Sequence, residues 1–521
     1  MCAEKTRGRA GHYEQVGSMT ELKTSRVVVI GGGVGGLAVA ARLSVKGHQV
    51  TLLEHADRLG GKLFTYRRDG FAFDTGPSLF TLPAVYRDLF LKTGKGLEES
   101  VDLQELDPAF HYVFADGSEV TLPGADPARC AQAFGAAFGA ESDSEWRAFI
   151  ERGADMWRLT REPFLQSPLK GWKSLLPLAN PRDLNTIAPF TSLRKLTRKY
   201  FTDPRMIMIV DRYATYTGSD PRHAPAVLAT IPYIEQVFGA WHIGGGLGTL
   251  ATALEKRCVE RKVDIRTGVT ATSIETHNNT VTGVRLDNGE LISADIVVSN
   301  SDATLTHELL SRQDQKRVPK ILDSPSLAGF VLLLALDGTS DGLAHHNVWF
   351  PHNYDAEFDA IFGRTPTPPR DPAIYACVPS DPQMRPSHDT ESWFILINAP
   401  RHDPSARNGF DWDAPGVKEQ YAQNILGKLA ERGTDIRQRI KWMEIRTPAD
   451  LERHVMAPGG SIYGTSSNGP RAAFTRPANQ STINGLFLVG GSSHPGGGLP
   501  LVGMGAEITA ELIGRAKKAN P

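Results

Sequence analysis

The sequence predicts an α/β fold: a parallel sheet packed by helices, joined to a mixed α+β domain. Three observations carry this: an apolar strand running into a glycine cluster, a second strand ending in an acid, and a late strand again running into glycines. The first strand is Val27, Val28, Val29 and Ile30, four β-branched residues of the kind buried in parallel sheets. Gly31, Gly33 and Gly36 follow on the G-x-G-x-x-G spacing. Gly31 permits the tight strand-to-helix turn, Gly33 lets backbone approach a pyrophosphate, and Gly36 lets helix pack on strand. The helix expected over 35–46 points its positive end at that diphosphate. A second strand, 48–53, ends at Glu54, whose carboxylate accepts from an adenosine ribose. Strand, helix, strand and acid in this order make a Rossmann-like dinucleotide-binding unit.

The residues after Glu54 select the dinucleotide. NAD dehydrogenases run from the ribose acid into an ordinary helix, whereas here Gly60, Gly61 and Lys62 precede an Asp74-Thr75-Gly76-Pro77 turn. Near the other end, residues 485–491 read GLFLVGG and 492–500 read SSHPGGGLP, followed by a helix expected over 504–517. On these residues the chain resembles the FAD-dependent amine oxidase and phytoene desaturase superfamily, and within it the bacterial carotenoid desaturases of the phytoene type. Residues 239–247, 297–302, 460–464 and 474–477 match further family stretches, so the resemblance spans about 26–516. The chain departs from reductase-type flavoproteins at Ser492, where those carry an acid.

The resemblance implies FAD as cofactor, held by Gly31, Gly33, Gly36, Glu54, Gly61, Lys62, Gly491 and backbone near Val269. It implies a Rossmann-like FAD-binding domain assembled from discontinuous segments, 24–95, 244–303 and 482–516, plus a mixed α+β substrate domain from 96–243 and 304–481. The second FAD segment is expected to carry a helix over 247–261, a strand over 263–266 and a hairpin turning at Asn278 and Asn279. The apolar run 328–336 reads as a buried strand, being too short for a spanning helix of roughly 20 residues.

Composition narrows the classes. The chain has 521 residues, 40% hydrophobic and 22% charged, with net charge −1, which argues against a nucleic-acid partner. Cys2, Cys130, Cys258 and Cys377 show no metal-ligand spacing and read as isolated thiols of a reducing compartment. The first residues are polar with no apolar core, so no secretory signal is expected and the protein is placed in the cytoplasm. Residues 163–200 interleave apolar side chains such as Phe164, Leu165, Trp172, Phe190 and Leu193 with Lys170, Lys173, Arg194, Lys195, Arg198 and Lys199. That pattern suits peripheral attachment to a membrane surface, and equally a lid packed on its own domain; an insoluble substrate favours the former.

Residues 214–218 and 494–500 resemble hydroxycarotenoid 3,4-desaturases as much as phytoene desaturases, and the chemistry implied by the resemblance is desaturation of a lipophilic polyene, with hydride removed by the flavin, a neighbouring proton lost, and oxygen or a quinone as terminal acceptor. A hydrocarbon substrate calls for an apolar tunnel, for which Tyr213, Tyr216 and Trp241 are candidate wall residues, or else plain core. Asp211 and Arg212 are read as a helix ion pair. His494, in the late glycine loop, is either a proton acceptor or a structural histidine bonded to loop backbone, and the same choice holds for His242. Saturases or isomerases of the same fold, and amine oxidases, are the alternative functions.

Overall fold

The computed structural model describes residues 25–169, 180–319, 324, 326–469, 472 and 476–516. The glycine-flanked strands assemble into one five-stranded parallel sheet, ordered Leu486–Leu488, Ile296–Ser299, Arg26–Ile30, Gln49–Leu53 and Asp264–Arg266. Val27 and Val29 face a core shared with the helices Val34–Val45, Ala84–Thr93, Gly248–Glu260 and Leu499–Ile513. Val28 and Ile30 face the opposite way, onto the antiparallel strands Ala271–His277, Thr280–Leu286 and Leu291–Ser293. Covered on both sides, the strand must be apolar at every position, which is why it reads as a continuous run rather than an alternation. The hairpin turns at Asn278 and Asn279, both at positive φ (49° and 60°), the conformation that two-residue hairpins demand and asparagine tolerates.

A seven-stranded mixed sheet forms the second layer, ordered Ile440–Arg446, Ala328–Asp337, Thr390–Ala399, Ile374–Cys377, His346–Trp349, Phe110–Val113 and Glu119–Leu122. Its apolar run is the long strand Ala328–Asp337, flanked antiparallel on both edges. Phe330, Leu332, Leu334 and Leu336 bury against Trp349, Trp393, Trp412 and the helix Val417–Glu431. Val331, Leu333 and Ala335 turn toward Phe71, Phe73 and Phe394. Over the far edge of this sheet lie the helices Pro127–Phe138, Ala140–Thr160, Pro204–Thr215 and Thr230–Phe238, around Phe134, Trp146 and Phe149.

Several boundaries differ from the sequence reading. The last helix begins at Leu499, five residues before the expected 504, because Pro500 fits its first turn. A ribbon of Leu103–Glu105 with Trp241–Ile243 joins the two ends of segment 96–243 and buries Ile243 in the core beneath the parallel sheet. Residues 170–179 of the proposed membrane segment, with Lys170, Trp172 and Lys173, lie outside the described residues. Within the described part, Phe190 is 88% exposed, whereas Arg194 is buried and cannot face lipid. No helix among the described residues is long and apolar enough to cross a membrane.

Candidate active site

The glycine turn is built by contact rather than by flexibility alone. Gly31 sits at φ +96°, and a Cβ on Gly36 would run into the Gly31 carbonyl oxygen, so helix and turn touch through bare backbone. The helix Val34–Val45 starts from Gly33 with no side-chain cap, leaving its first N–H groups for an anion. Gly61, at φ +58°, lies against Gly33: a Cβ there would be 3.2 Å from the Gly33 Cα. Asn300 closes the other side, its Nδ2 donating to the Gly31 carbonyl at 3.2 Å.

Glu54 is 5% exposed, at the end of its strand. Its Oε2 accepts from the Gly32 N–H at 2.6 Å and its Oε1 from the Ala56 N–H at 3.0 Å, with His55 Nδ1 2.7 Å away. Burial works against the charge, but the His55 ring and these two N–H groups hold the carboxyl below the usual carboxylate range. An ionised acid at this point suits a ribose diol. Val269 reaches Glu54 through backbone, its N–H donating to the Glu54 carbonyl at 3.0 Å, and it does not line the cavity described below.

Two cations, the half-buried Lys62 and the buried Arg476, hold the late loops. Lys62 Nζ donates to the carbonyls of Ser461 (3.0 Å) and Ile462 (2.7 Å), and burial pushes its ammonium down to about 8. Arg476 donates to the carbonyls of Tyr463, Gly491 and Thr465 at 3.1, 3.0 and 2.7 Å, and burial brings it down to about 10. Neither has a carboxylate within 4.0 Å among the described residues. A glycine cradle, an uncapped helix start, an ionised acid and two cations that share only the nearby Asp302 carboxylate together fit an adenine dinucleotide with its diphosphate.

These loops open into a single chamber of about 610 Å³. Gly31, Gly33, Glu54, Gly61, Lys62 and Gly491 line one part; Phe110, Ile231, Ile234, Val331, Val348, Phe394 and Leu396 line another, with Arg212, Tyr216, Glu235, Tyr354 and Tyr375 among them. Tyr216 thus reaches the wall. Tyr213 does not: its hydroxyl donates to Glu235 at 2.5 Å behind it. Trp241 also stays out, its Nε1 spent on the Phe238 carbonyl at 2.7 Å.

His494 needs correction as a proton acceptor. It is 1% exposed, absent from the chamber wall, and its Nε2 lies 3.0 Å from the Ser167 carbonyl, with the Phe164 ring edge-on at 5.3 Å. Burial lowers its pKa, so it serves as a neutral clasp between the late loop and the segment after Ala140–Thr160. His242 is likewise held away, 2.9 Å from Asp381. Asp211 and Arg212 do not pair with each other: Asp211 is bonded to Arg194, which also holds Asp355. Cys377 is not isolated in space, since its sulfur lies within 4.8 Å of ring nitrogens of His345 and His346.

Sequence reading missed Arg476, Asn300 and Glu235. Asn300 and Arg476 sit inside stretches already marked as family-like, but Gly31, the partner of Asn300, lies 269 residues away, and Arg476 gathers carbonyls 11 to 15 residues off that only the folded loops bring around it. Glu235 carried no local signal.

Comparison with known proteins agrees with this geometry. A family model described as flavin containing amine oxidoreductase matches residues 34–372. The 4,4'-diapolycopene oxygenase of Methylomonas sp is 33% identical over 504 residues, covering 95% of this chain and 99% of that protein. The 4,4'-diaponeurosporene oxygenase of Staphylococcus aureus (strain USA300) is 29% identical over 509 residues, with 95% and 99% covered. Among solved structures, an oxidoreductase from Methanosarcina mazei shares the fold at TM-score 0.60 and 18% identity, over 93% of this chain and 100% of that one. Wild-type putrescine oxidase bound to putrescine does so at TM-score 0.61 and 14% identity, over 94% and 98%. This chain belongs to the flavin-containing amine oxidoreductase family and is an FAD-dependent oxidoreductase.

Proposed function

We propose that this protein oxidises a long acyclic polyene of the carotenoid class at its C–H bonds. The observation that carries the reading is the chamber itself, which continues from the glycine loops into a wall of Phe110, Val331, Val348, Phe394 and Leu396. Such a wall offers a hydrocarbon burial at roughly 25 cal/mol per Å² and little else. When bound, the flavin supplies hydride-accepting oxidation chemistry. The chain's own residues bind and orient the polyene and keep water from it.

The two full-length relatives, named as oxygenases of diapolycopene and diaponeurosporene, favour introduction of oxygen over the desaturation expected from the late-loop resemblance. Oxygen insertion replaces one C–H by C–OH with the oxygen atom coming from water, two electrons going to the oxidant that a bound flavin would supply and the protons to solvent; desaturation removes two hydrogens and passes on the same two electrons. A protonated amine suits the chamber less well, because the Arg212 guanidinium stands in its wall. Attachment to a membrane surface completes the reading, with exposed Phe190 beside exposed Lys195, Arg198 and Lys199.

Expression in cells that accumulate an acyclic carotenoid, with mass analysis of the pigments, tests the assignment. Products heavier by oxygen support oxygenation; products lighter by pairs of hydrogens support desaturation. Unchanged pigment beside FAD-loaded protein overturns the carotenoid reading.

A further inference from the structure

Three side chains suited to a soft metal ion meet inside the seven-stranded sheet, away from the chamber wall. The strands His346–Trp349 and Ile374–Cys377 run antiparallel with His346 directly opposite Cys377, so both side chains stand on one face. His345 precedes the first strand and is pinned to the second, its carbonyl accepting the Val378 N–H at 2.8 Å. The Cys377 sulfur and a ring nitrogen from each histidine all lie within 4.8 Å of one another. Strand pairing thus gathers a thiol and two imidazoles that sequence spacing does not announce.

His345, His346 and Cys377 are withdrawn from solvent, at 8%, 0% and 5% exposure. His346 Nδ1 lies 2.7 Å from the Tyr375 hydroxyl, while its Nε2 is buried with no hydrogen-bond partner. The same hydroxyl lies 2.7 Å from Ser78 Oγ and reaches the Cys377 thiol. Metal-ligating histidines are oriented in this way, by a hydrogen bond to one ring nitrogen that leaves the other free. A small cavity of about 10 Å³ lies against His345 and Cys377, room for one atom the size of a water. Its other polar neighbours are committed: Asp74 accepts from Thr65 and from the Leu247 N–H, and His242 is bonded to Asp381. Burial lowers both histidines, His345 to about 3, which keeps the rings neutral, the form that ligates.

We propose that Cys377, His345 and His346 form a metal site for a soft closed-shell cation, zinc(II) or copper(I). Thiolate and imidazole select these ions, whereas magnesium and calcium call for oxygen ligands that none of the three offers. Binding sends the Cys377 thiol proton to solvent and transfers no electron. Copper(I) with one thiolate and two neutral rings makes an uncharged centre. Zinc(II) takes a fourth ligand, for which the adjoining cavity has room as water. The ion ties the two strands together behind Tyr375, and the site stands independently of the polyene reading. The exposed cluster of His402, Asp411 and Asp413 is the competing place for an adventitious ion.

The test uses FAD-loaded full-length protein, kept reduced, stripped with a chelator, and given zinc(II) or copper(I) alone. Elemental analysis after gel filtration is expected to find about one ion per chain for at least one of the two metals. Cys377→Ala is expected to lose that ion, and His402→Ala, which breaks the exposed cluster, to keep it. Tyr375→Phe removes the hydroxyl that holds His346 and is expected to weaken affinity about 10- to 100-fold. X-ray absorption at the metal edge of the wild-type protein is expected to show sulfur at about 2.3 Å and nitrogen at about 2.0 Å, and it decides alone should Cys377→Ala fail to fold. Neither metal retained, an ion kept by Cys377→Ala, or an edge spectrum without sulfur overturns the site. So does loss of the ion from His402→Ala, which would mark an adventitious ion only.

Discussion

Replacing Gly36 with alanine probes the turn on which the cofactor site rests. In an ordinary helix this change stabilises, by about 0.5–1 kcal/mol, because glycine loses more backbone entropy on folding. At Gly36 the added methyl meets the Gly31 carbonyl oxygen and lies 3.2 Å from its carbon and 3.3 Å from Asn300 Nδ2. Those atoms do not yield readily: Gly31 N–H is bonded to the Leu53 carbonyl at 2.8 Å, and Asn300 N–H to the Ile30 carbonyl at 2.8 Å. Overpacking of this kind costs about 1–3 kcal/mol, which reverses the sign of the helix effect. If the same strain shifts the turn in the bound state, FAD affinity falls by about 10- to 100-fold, each tenfold step being about 1.4 kcal/mol. The assay is FAD titration of deflavinated protein, with thermal unfolding beside it. Gly427 in Val417–Glu431 is the control, since a Cβ there meets nothing within 4 Å and Gly427→Ala is expected to stabilise. A Gly36→Ala protein that binds FAD normally and gains stability as Gly427→Ala does would refute the reasoning.

Arg194→Met is expected to cost about 3–5 kcal/mol in chemical unfolding, because it strands the buried Asp211 carboxylate, and adding Asp211→Asn is expected to recover part of that loss. Burial raises Glu235 from 4.5 to about 7. Its folded-state pKa lies above the unfolded one, so its contribution to stability is complete below about pH 4.5 and is lost as pH rises through 7, a change on the order of 1–3 kcal/mol that Glu235→Gln should remove from melts between pH 4.5 and 8. His494→Gln is expected to lower the melting temperature while leaving the pH profile of turnover unchanged; loss of one limb of that profile would restore His494 as a proton acceptor. Phe190→Ser is expected to reduce flotation with anionic vesicles without altering FAD content, and undiminished flotation would move the membrane contact elsewhere.

What the sequence disclosed and what it hid follow from the range of the interactions. Gly31, Gly33, Gly36 and Glu54 act within about one strand–helix–strand unit, where spacing alone states the geometry. The run 328–336 was readable as a buried strand because both of its faces are covered, and the paired asparagines marked their turn. Arg194 looked like one cation of a lipid-facing series, since nothing near it in sequence revealed Asp355, 161 residues away. Lys62 was read as a residue beside the nucleotide; that its ammonium also grips carbonyls 399 and 400 residues on is a product of folding. The Arg212 and Glu235 pair was invisible for the same reason, as each sits in its own amphipathic helix and only the packing of the two helices makes a polar spot in an apolar wall.

The central claim is that the flavin in this protein takes electrons from a polyene. Anaerobic mixing of FAD-loaded protein with an acyclic carotenoid in vesicles, followed by the flavin absorbance, tests it in one step. The account predicts bleaching of the oxidised flavin by the carotenoid and none by putrescine. Bleaching by the amine alone, with the carotenoid inert, would contradict it.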